Sequence, residues 1–191
     1  MKFAILSLVA SYLDFIYYCI HELSIEFKLA AYYGKLSSTS FYDVTKDKRA
    51  YDLSVKFENI EKLIDEMSDD VTRNIMKQKY KALELFSKIR DKFSLTDEEE
   101  NELLTVTSKI EKVIGDVKTF STKVRELYSE VKAGIDTINS LRKERYKSMI
   151  EEDIITKGSF EKLKSIYDVL LPLIEEYCDR VMSETTMLKV V

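Results

Sequence analysis

An uninterrupted seam of apolar positions between residues 103 and 141 restricts this chain to helical folds. The spacing along the seam alternates between three and four residues, as it does on the packed edge of a coiled-coil helix, whereas a β-strand would show a period of two. The twelve positions are Leu103, Val106, Ile110, Val113, Val117, Phe120, Val124, Leu127, Val131, Gly134, Ile138 and Leu141. The seam predicts one long helix over residues 97–150, packed along one edge against other helices.

The same spacing predicts three further helices in the rest of the chain. Their predicted ranges are residues 3–33, 45–93 and 159–183. We expect Gly34 to end the first helix, because glycine commonly follows the last residue of a helix. The serine-rich stretch 35–44 then predicts a loop. The second helix can break near Ser68, and the pattern favours a continuous helix there.

Local signals place the remaining boundaries. Thr96 and Glu99 match the T-x-x-E capping box, which predicts a helix start just after residue 96. Gly158 predicts a restart of the chain before the last helix. We expect Pro172 to kink that helix, because proline removes one backbone hydrogen bond, and we expect residues after Ser183 to fray.

Together these signals predict an all-α fold with a single helical domain over residues 1–191. The predicted architecture is an elongated four-helix bundle, in which the two long central helices form an antiparallel hairpin of coiled-coil character. Only four Gly and one Pro occur in the 191 residues. Sandwiches and barrels need many tight turns, and phosphate-binding loops are built on glycine, so this composition argues against all three.

Composition also argues against several kinds of site. A single histidine excludes centres that need two imidazoles, and no metal or cofactor motif is present. The formal net charge is −4 with interleaved signs, so no concentrated basic face predicts a nucleic-acid partner. We therefore expect a protein that is not an enzyme and that has no catalytic residue, cofactor or metal.

The N-terminus allows three interpretations. From Phe3 to Ile20, 15 of 18 residues are apolar or aromatic, as in a signal peptide, a membrane anchor or a buried core helix. A narrow polar stripe with helical spacing continues past this segment to Glu22, which favours a retained core helix. On that interpretation we expect no membrane partner and favour a cytoplasmic location, with a secreted or cell-surface location as the alternative.

Two cysteines lie near opposite ends of the chain. Cys19 and Cys178 can form a disulfide that links the first helix to the last, or can remain two buried thiols in a reducing compartment. Cleavage of a leader near residue 20 would remove Cys19 and exclude the disulfide.

Aromatic side chains supply the candidate binding residues. The chain has 12 Tyr and 9 Phe and no Trp, so many of these rings are needed in the core. A tyrosine-rich group in the first quarter of the chain is a candidate surface for a partner protein. Its members are Tyr32, Tyr33, Phe41, Tyr42 and Tyr51.

The favoured hypothesis for function is a helical module or scaffold that binds another protein, of unknown identity, or a second copy of itself. The first alternative is a secreted or surface-exposed helical antigen or effector of a parasite or pathogen. A further alternative is a carrier that holds a small molecule in an apolar pocket between the helices. Polar groups around Asp14 and His21 would line such a pocket.

Overall fold

The computed structural model describes residues 1–146 and 154–190, and within these ranges it contains four α-helices and no strand. The helices are α1 (Lys2–Thr45), α2 (Lys48–Ile89), α3 (Asp97–Arg145) and α4 (Ile154–Val190). Contacts between them form a helical bundle, which confirms the predicted fold class. The coiled-coil character of the hairpin formed by α2 and α3 stays a prediction.

The chain forms two compact units, and every helix contributes one part to each. Unit 1 contains Met1–His21, Ser68–Ser121 and Leu170–Val191, and unit 2 contains Glu22–Met67 and Thr122–Val169. The single domain over residues 1–191 stays a prediction. In unit 1 the core includes Leu6, Leu13, Ile75, Ile110 and Ile174, and in unit 2 it includes Phe27, Phe57, Ile64, Val131 and Leu163.

The seam of α3 is buried at all twelve predicted positions, from Leu103 to Leu141. This confirms that the 3–4 spacing marks the packed edge of the helix. The described part of α3 ends at Arg145, and residues 147–150 of the predicted helix lie outside the described residues.

α2 is continuous through Ser68, as the pattern favoured. Its buried positions include Ile64, Ser68, Val71, Ile75 and Gln78, which also follow the 3–4 spacing. Two polar side chains therefore occupy seam positions, and this is why the apolar pattern loosens in the middle of the helix.

The prediction that the first helix ends at Gly34 is wrong, because α1 continues to Thr45. Gly34 is buried at a close approach, where an added Cβ would lie 2.7 Å from ring carbons of Phe57. The predicted loop at 35–44 is also helical. The Ser38 hydroxyl donates to the Gly34 carbonyl at 2.8 Å, so the serine satisfies its hydrogen-bonding group within the helix.

Caps define the starts of α2 and α3. The Arg49 amide donates to Asp47 Oδ1 at 2.9 Å, which caps α2 directly after Lys46, a residue with a left-handed φ of 58°. The predicted capping box at α3 is confirmed. The Thr96 amide donates to Glu99 Oε2 at 3.0 Å, and the Glu99 amide donates to Thr96 Oγ1 at 3.3 Å.

α4 is longer than predicted at both described ends. It includes Gly158 and begins at Ile154, and it continues to Val190 instead of fraying after Ser183. The buried side chains of Thr185 and Leu188 extend the packed edge beyond Val181 at 3–4 spacing, which holds the last turns in place. Pro172 lies inside the helix, and the predicted kink there stays a prediction.

Candidate interaction surface

α1 exposes apolar side chains on one face of its second half, within unit 2. Leu29, Tyr32 and Leu36 are 39%, 40% and 42% exposed, and their spacing of three and four residues places them on one face of the helix. We call these three residues the α1 face. Single exposed apolar residues are common on proteins, but three in a row at the spacing of a helix-packing edge form a contiguous surface.

The opposite side of the same stretch is deeply buried. Phe27, Ala30 and Ala31 have no exposed surface, and Ser38 is likewise fully buried. This part of α1 is therefore held rigidly by the core of unit 2, so the α1 face is presented on a fixed element and not on a loop.

Ion pairs with α2 border the α1 face on one side. Lys28 Nζ lies 2.9 Å from Asp65 Oδ1, and Lys35 Nζ lies 3.5 Å from Glu61 Oε2. Lys35 Nζ also lies 5.6 Å from the centre of the Tyr32 ring, within the range of a cation–π contact. These contacts fix the lysines beside the face and leave a polar rim next to an apolar centre, which is typical of binding surfaces.

Tyr33 borders the α1 face on the other side. Its ring meets the Tyr32 ring edge-on, with 5.4 Å between the ring centres. Its carbonyl oxygen accepts a hydrogen bond from Thr156 Oγ1 of α4 at 3.3 Å. Tyr33 is half-buried, so it supports Tyr32 and shows only part of its own ring.

The predicted aromatic group does not form one patch. Phe41 is buried in a small core cluster with Ala50, Ile138 and Leu141, and it is therefore not a surface residue. Tyr42 packs partly against that cluster and contacts Tyr51 at 5.4 Å between ring centres. Tyr32 and Tyr33 form the other contact pair, so the five predicted residues divide into two ring pairs and one core residue.

The sequence-based prediction missed Leu29 and Leu36. Their spacing from Tyr32 is visible in the sequence, but α1 is apolar on so many sides that the pattern does not distinguish its core face from its exposed face. Packing against α2 and α4 makes that distinction.

Cys19 and Cys178 are both buried and both free in unit 1, so the predicted disulfide is not formed in this structure. Burial raises the pKa of the Cys19 thiol to about 11. Burial also raises the pKa of the Cys178 thiol to about 12, and nearby Lys118 lowers it only in part. Both groups are thus neutral thiols at physiological pH, a form that reacts slowly.

The residues predicted to line a carrier pocket lie at the surface. Asp14 is exposed and its Oδ1 lies 2.6 Å from Lys79 Nζ. His21 is exposed and its ring stacks on that of Tyr17, with 6.0 Å between ring centres. In the described parts of the chain no group of three or more His, Cys, Asp or Glu side chains is arranged to hold a metal ion.

Within the described residues, one helix, α1, is long and apolar enough near the N-terminus to cross a membrane, judged by length and composition. In its most apolar window, 44% of the residues are buried in the bundle. A core helix, a leader and an anchor all meet this criterion, so the three interpretations of the N-terminus stay predictions.

Comparison of the chain with protein-family models, with curated proteins and with solved structures gives no match.

Proposed function

We propose that this chain is a helical module that binds an amphipathic helix of a partner protein through the α1 face. The observation that supports the proposal is the exposure of Leu29, Tyr32 and Leu36 along one edge of a helix whose other side is core. One helix packs on another through side chains at this 3–4 spacing, so the surface suits a partner helix with apolar residues at i, i+3 and i+7.

The size of the face favours a transient contact. From Leu29 to Leu36 the helix rises about 10 Å, at 1.5 Å per residue. A stable dimer buries about 800 Å² on each partner, which is more than three side chains provide. A partner that adds its own flanking contacts to a short apolar anchor therefore fits better than a permanent second copy of this chain.

The test is a selection of binding peptides followed by affinity measurements. The full chain would be screened against a displayed library of 20-residue peptides, and Kd would be measured for the enriched peptides by fluorescence polarisation. We expect enriched peptides with apolar residues at helical 3–4 spacing. The Leu29→Gln/Leu36→Gln double variant should bind them at least tenfold more weakly, since each buried Leu contributes about 1.5–3 kcal/mol.

A matched control is Leu104→Gln, which removes a leucine that is 47% exposed on α3. This control should bind the peptides as the unchanged protein does. Enriched peptides without helical spacing, or equal binding by the double variant, would contradict the proposal. A dimer in sedimentation experiments that the double variant loses would instead assign the α1 face to a second copy of the chain.

A secreted or surface-exposed antigen or effector remains the alternative proposal, since an apolar N-terminal helix is also what a leader provides. The α1 face lies C-terminal to any leader that ends near residue 20. The two proposals therefore differ in where the protein works and not in the surface that it uses.

A further inference from the structure

A groove in unit 1 between α2 and α3 gathers four lysines around a buried amide. Its cavity volume is about 200 Å³. The residues that matter are Lys77, Gln78 and Lys81 on α2, and Lys109, Lys112 and Asp116 on α3. Neither helix alone shows the cluster, because the two pairs of lysines are about 30 residues apart in the sequence and meet only in the fold.

The charge of this groove differs from that of the chain. Four lysines and one aspartate line it, on a protein whose formal net charge is −4. Among the described residues none of these four lysines has an ion-pair partner, whereas the nearby Lys79 pairs with Asp14 at 2.6 Å and Lys118 pairs with Asp179 at 3.3 Å. Like charges three or four residues apart on a helix destabilise it, so the lysine pairs oppose folding and favour an anionic ligand.

Gln78 supplies an independent observation. Its side chain lies at a seam position, is 7% exposed, and leaves Oε1 buried without a hydrogen-bond partner among the described atoms. A leucine would fit this position without an unpaired acceptor, and a buried unpaired carbonyl costs free energy. Gln78 also lines the groove, and a rotation of its side chain towards the groove would bring the buried Oε1 within reach of a ligand that donates a hydrogen bond.

We propose that this groove binds a phosphate group that carries its own hydrogen-bond donor, such as a small phosphate monoester with a hydroxyl group. The lysines attract the phosphate oxygens, while Gln78 Oε1 and the Asp116 carboxylate accept from the ligand hydroxyl. The groove is smaller than the roughly 300–1,000 Å³ of pockets for drug-sized ligands, which suits a compact anion. Sulfate is fully ionised at neutral pH and offers no such donor.

The test compares glycerol 3-phosphate, inorganic phosphate and sulfate by isothermal titration calorimetry at equal ionic strength and low salt. We expect both phosphates to bind about tenfold more tightly than sulfate, because a site with a buried acceptor rejects an analogue that cannot donate to it. Equal affinity for phosphate and sulfate, or no binding of either phosphate, would overturn the proposal.

Three variants separate the contributions of the lysines and of Gln78 to ligand binding. Lys77→Gln/Lys112→Gln should weaken the binding of both phosphates about tenfold or more, whereas the control Lys132→Gln, at an exposed lysine of unit 2, should leave it unchanged. Gln78→Met should reduce the preference for phosphate over sulfate towards one, while sulfate affinity stays the same. Unchanged phosphate binding in the double variant, or an unchanged preference in Gln78→Met, would contradict the assignment.

A free ligand and a lipid headgroup offer the same chemistry, and a vesicle assay distinguishes them. Flotation with phosphatidylcholine vesicles, with and without phosphatidylinositol phosphate, would show binding that depends on the four lysines if the source is a lipid. Binding of glycerol 3-phosphate without vesicle binding would assign the groove to a soluble phosphate ester.

Discussion

The ring of Phe57 fills the space that a side chain at Gly34 would occupy. A Cβ added to Gly34 would lie 2.7 Å from ring carbons of Phe57, and a Cβ added to Gly134 would lie 2.7 Å from Cζ of the same ring. Phe57 is 1% exposed. In unit 2, α1, α2 and α3 therefore meet at one buried aromatic ring that lies against two glycines.

We expect Gly34→Ala and Gly134→Ala each to destabilise the protein by about 1–3 kcal/mol, because overpacking displaces a fixed ring. This outcome opposes helix propensity, which favours Ala over Gly by about 1 kcal/mol. Gly115→Ala is the control. A Cβ there meets no atom within 4 Å, so the free energy of unfolding should rise by about 1 kcal/mol, the difference in helix propensity. Urea unfolding followed by circular dichroism measures all three.

A double substitution tests whether contact with the Phe57 ring causes the loss of stability. Combining Gly34→Ala with Phe57→Leu should give a smaller loss of stability than the sum of the two single changes, because the smaller side chain makes room for the new methyl group. Strictly additive losses would show that the glycine acts through the backbone and not through Phe57.

The capping box predicts that two threonine-to-alanine substitutions differ in their effect on stability. Thr96→Ala should lower the free energy of unfolding by about 1 kcal/mol, because it leaves the Glu99 amide without the Thr96 oxygen. Thr105→Ala, at an exposed threonine inside α3, should be neutral or slightly stabilising, since Ala is the better helix former. Equal effects in urea unfolding would show that the cap contributes nothing beyond residue type.

The 3–4 spacing of apolar residues predicts the parts of the fold in which a residue type has a single structural role. The seam of α3 is such a case, since apolar side chains at eleven of its twelve helical positions, all but Gly134, have no competing explanation. Gly34 is the opposite case. Glycine both ends helices and permits close approach of another side chain, and only the position of Phe57 on another helix decides between the two.

The candidate sites needed tertiary information for a similar reason. Ser38 suggested a loop, but its hydroxyl bonds a carbonyl of its own helix, and its small size suits a buried position. Tyr32 was predicted as a surface residue and is exposed, whereas Phe41, with similar chemistry, packs against Ile138 and Leu141. The sequence around the two aromatic residues holds no signal that separates them.

The buried thiols predict a pH dependence at the alkaline end. Burial raises the pKa of Cys19 from 9.0 to about 11 and that of Cys178 from 9.0 to about 12 in the folded chain. Above pH 9 the thiols of the unfolded chain ionise, while those of the folded chain stay neutral until pH 11–12. The contribution of the neutral thiols to the free energy of unfolding is therefore complete below pH 9 and declines as the pH rises towards 11–12. The loss is about 1 kcal/mol per thiol for each pH unit in that window.

Urea midpoints at pH 7 and pH 10 measure this effect. The Cys19→Ala/Cys178→Ala variant should lose less stability than the unchanged protein over that interval, because it has no thiols to ionise. A thiol-specific reagent should label neither cysteine of the folded protein at pH 7.5 and both after unfolding. Rapid labelling of the folded protein would contradict the buried, neutral state of these groups.

The N-terminal half of α1 offers two leucines that distinguish a core helix from a leader. Leu13 has no exposed surface in unit 1, whereas Leu8 on the same helix is 38% exposed. We expect Leu13→Ala to destabilise the protein by about 2–5 kcal/mol and Leu8→Ala to change stability by no more than about 0.5 kcal/mol. Equal effects in urea unfolding would mean that this segment is not packed as a core helix.

The intact mass of the protein from its native source, measured with and without reduction, tests whether the first helix is retained. If the first helix is retained, Leu13 stays in the core of unit 1, and the mass corresponds to the full chain. Since Cys19 and Cys178 are free thiols in the structure, reduction should add no mass. Loss of about 20 residues would remove Leu13 and Cys19 together and favour the secreted antigen or effector, whereas a gain of 2 Da on reduction would show that the predicted disulfide forms outside a reducing compartment.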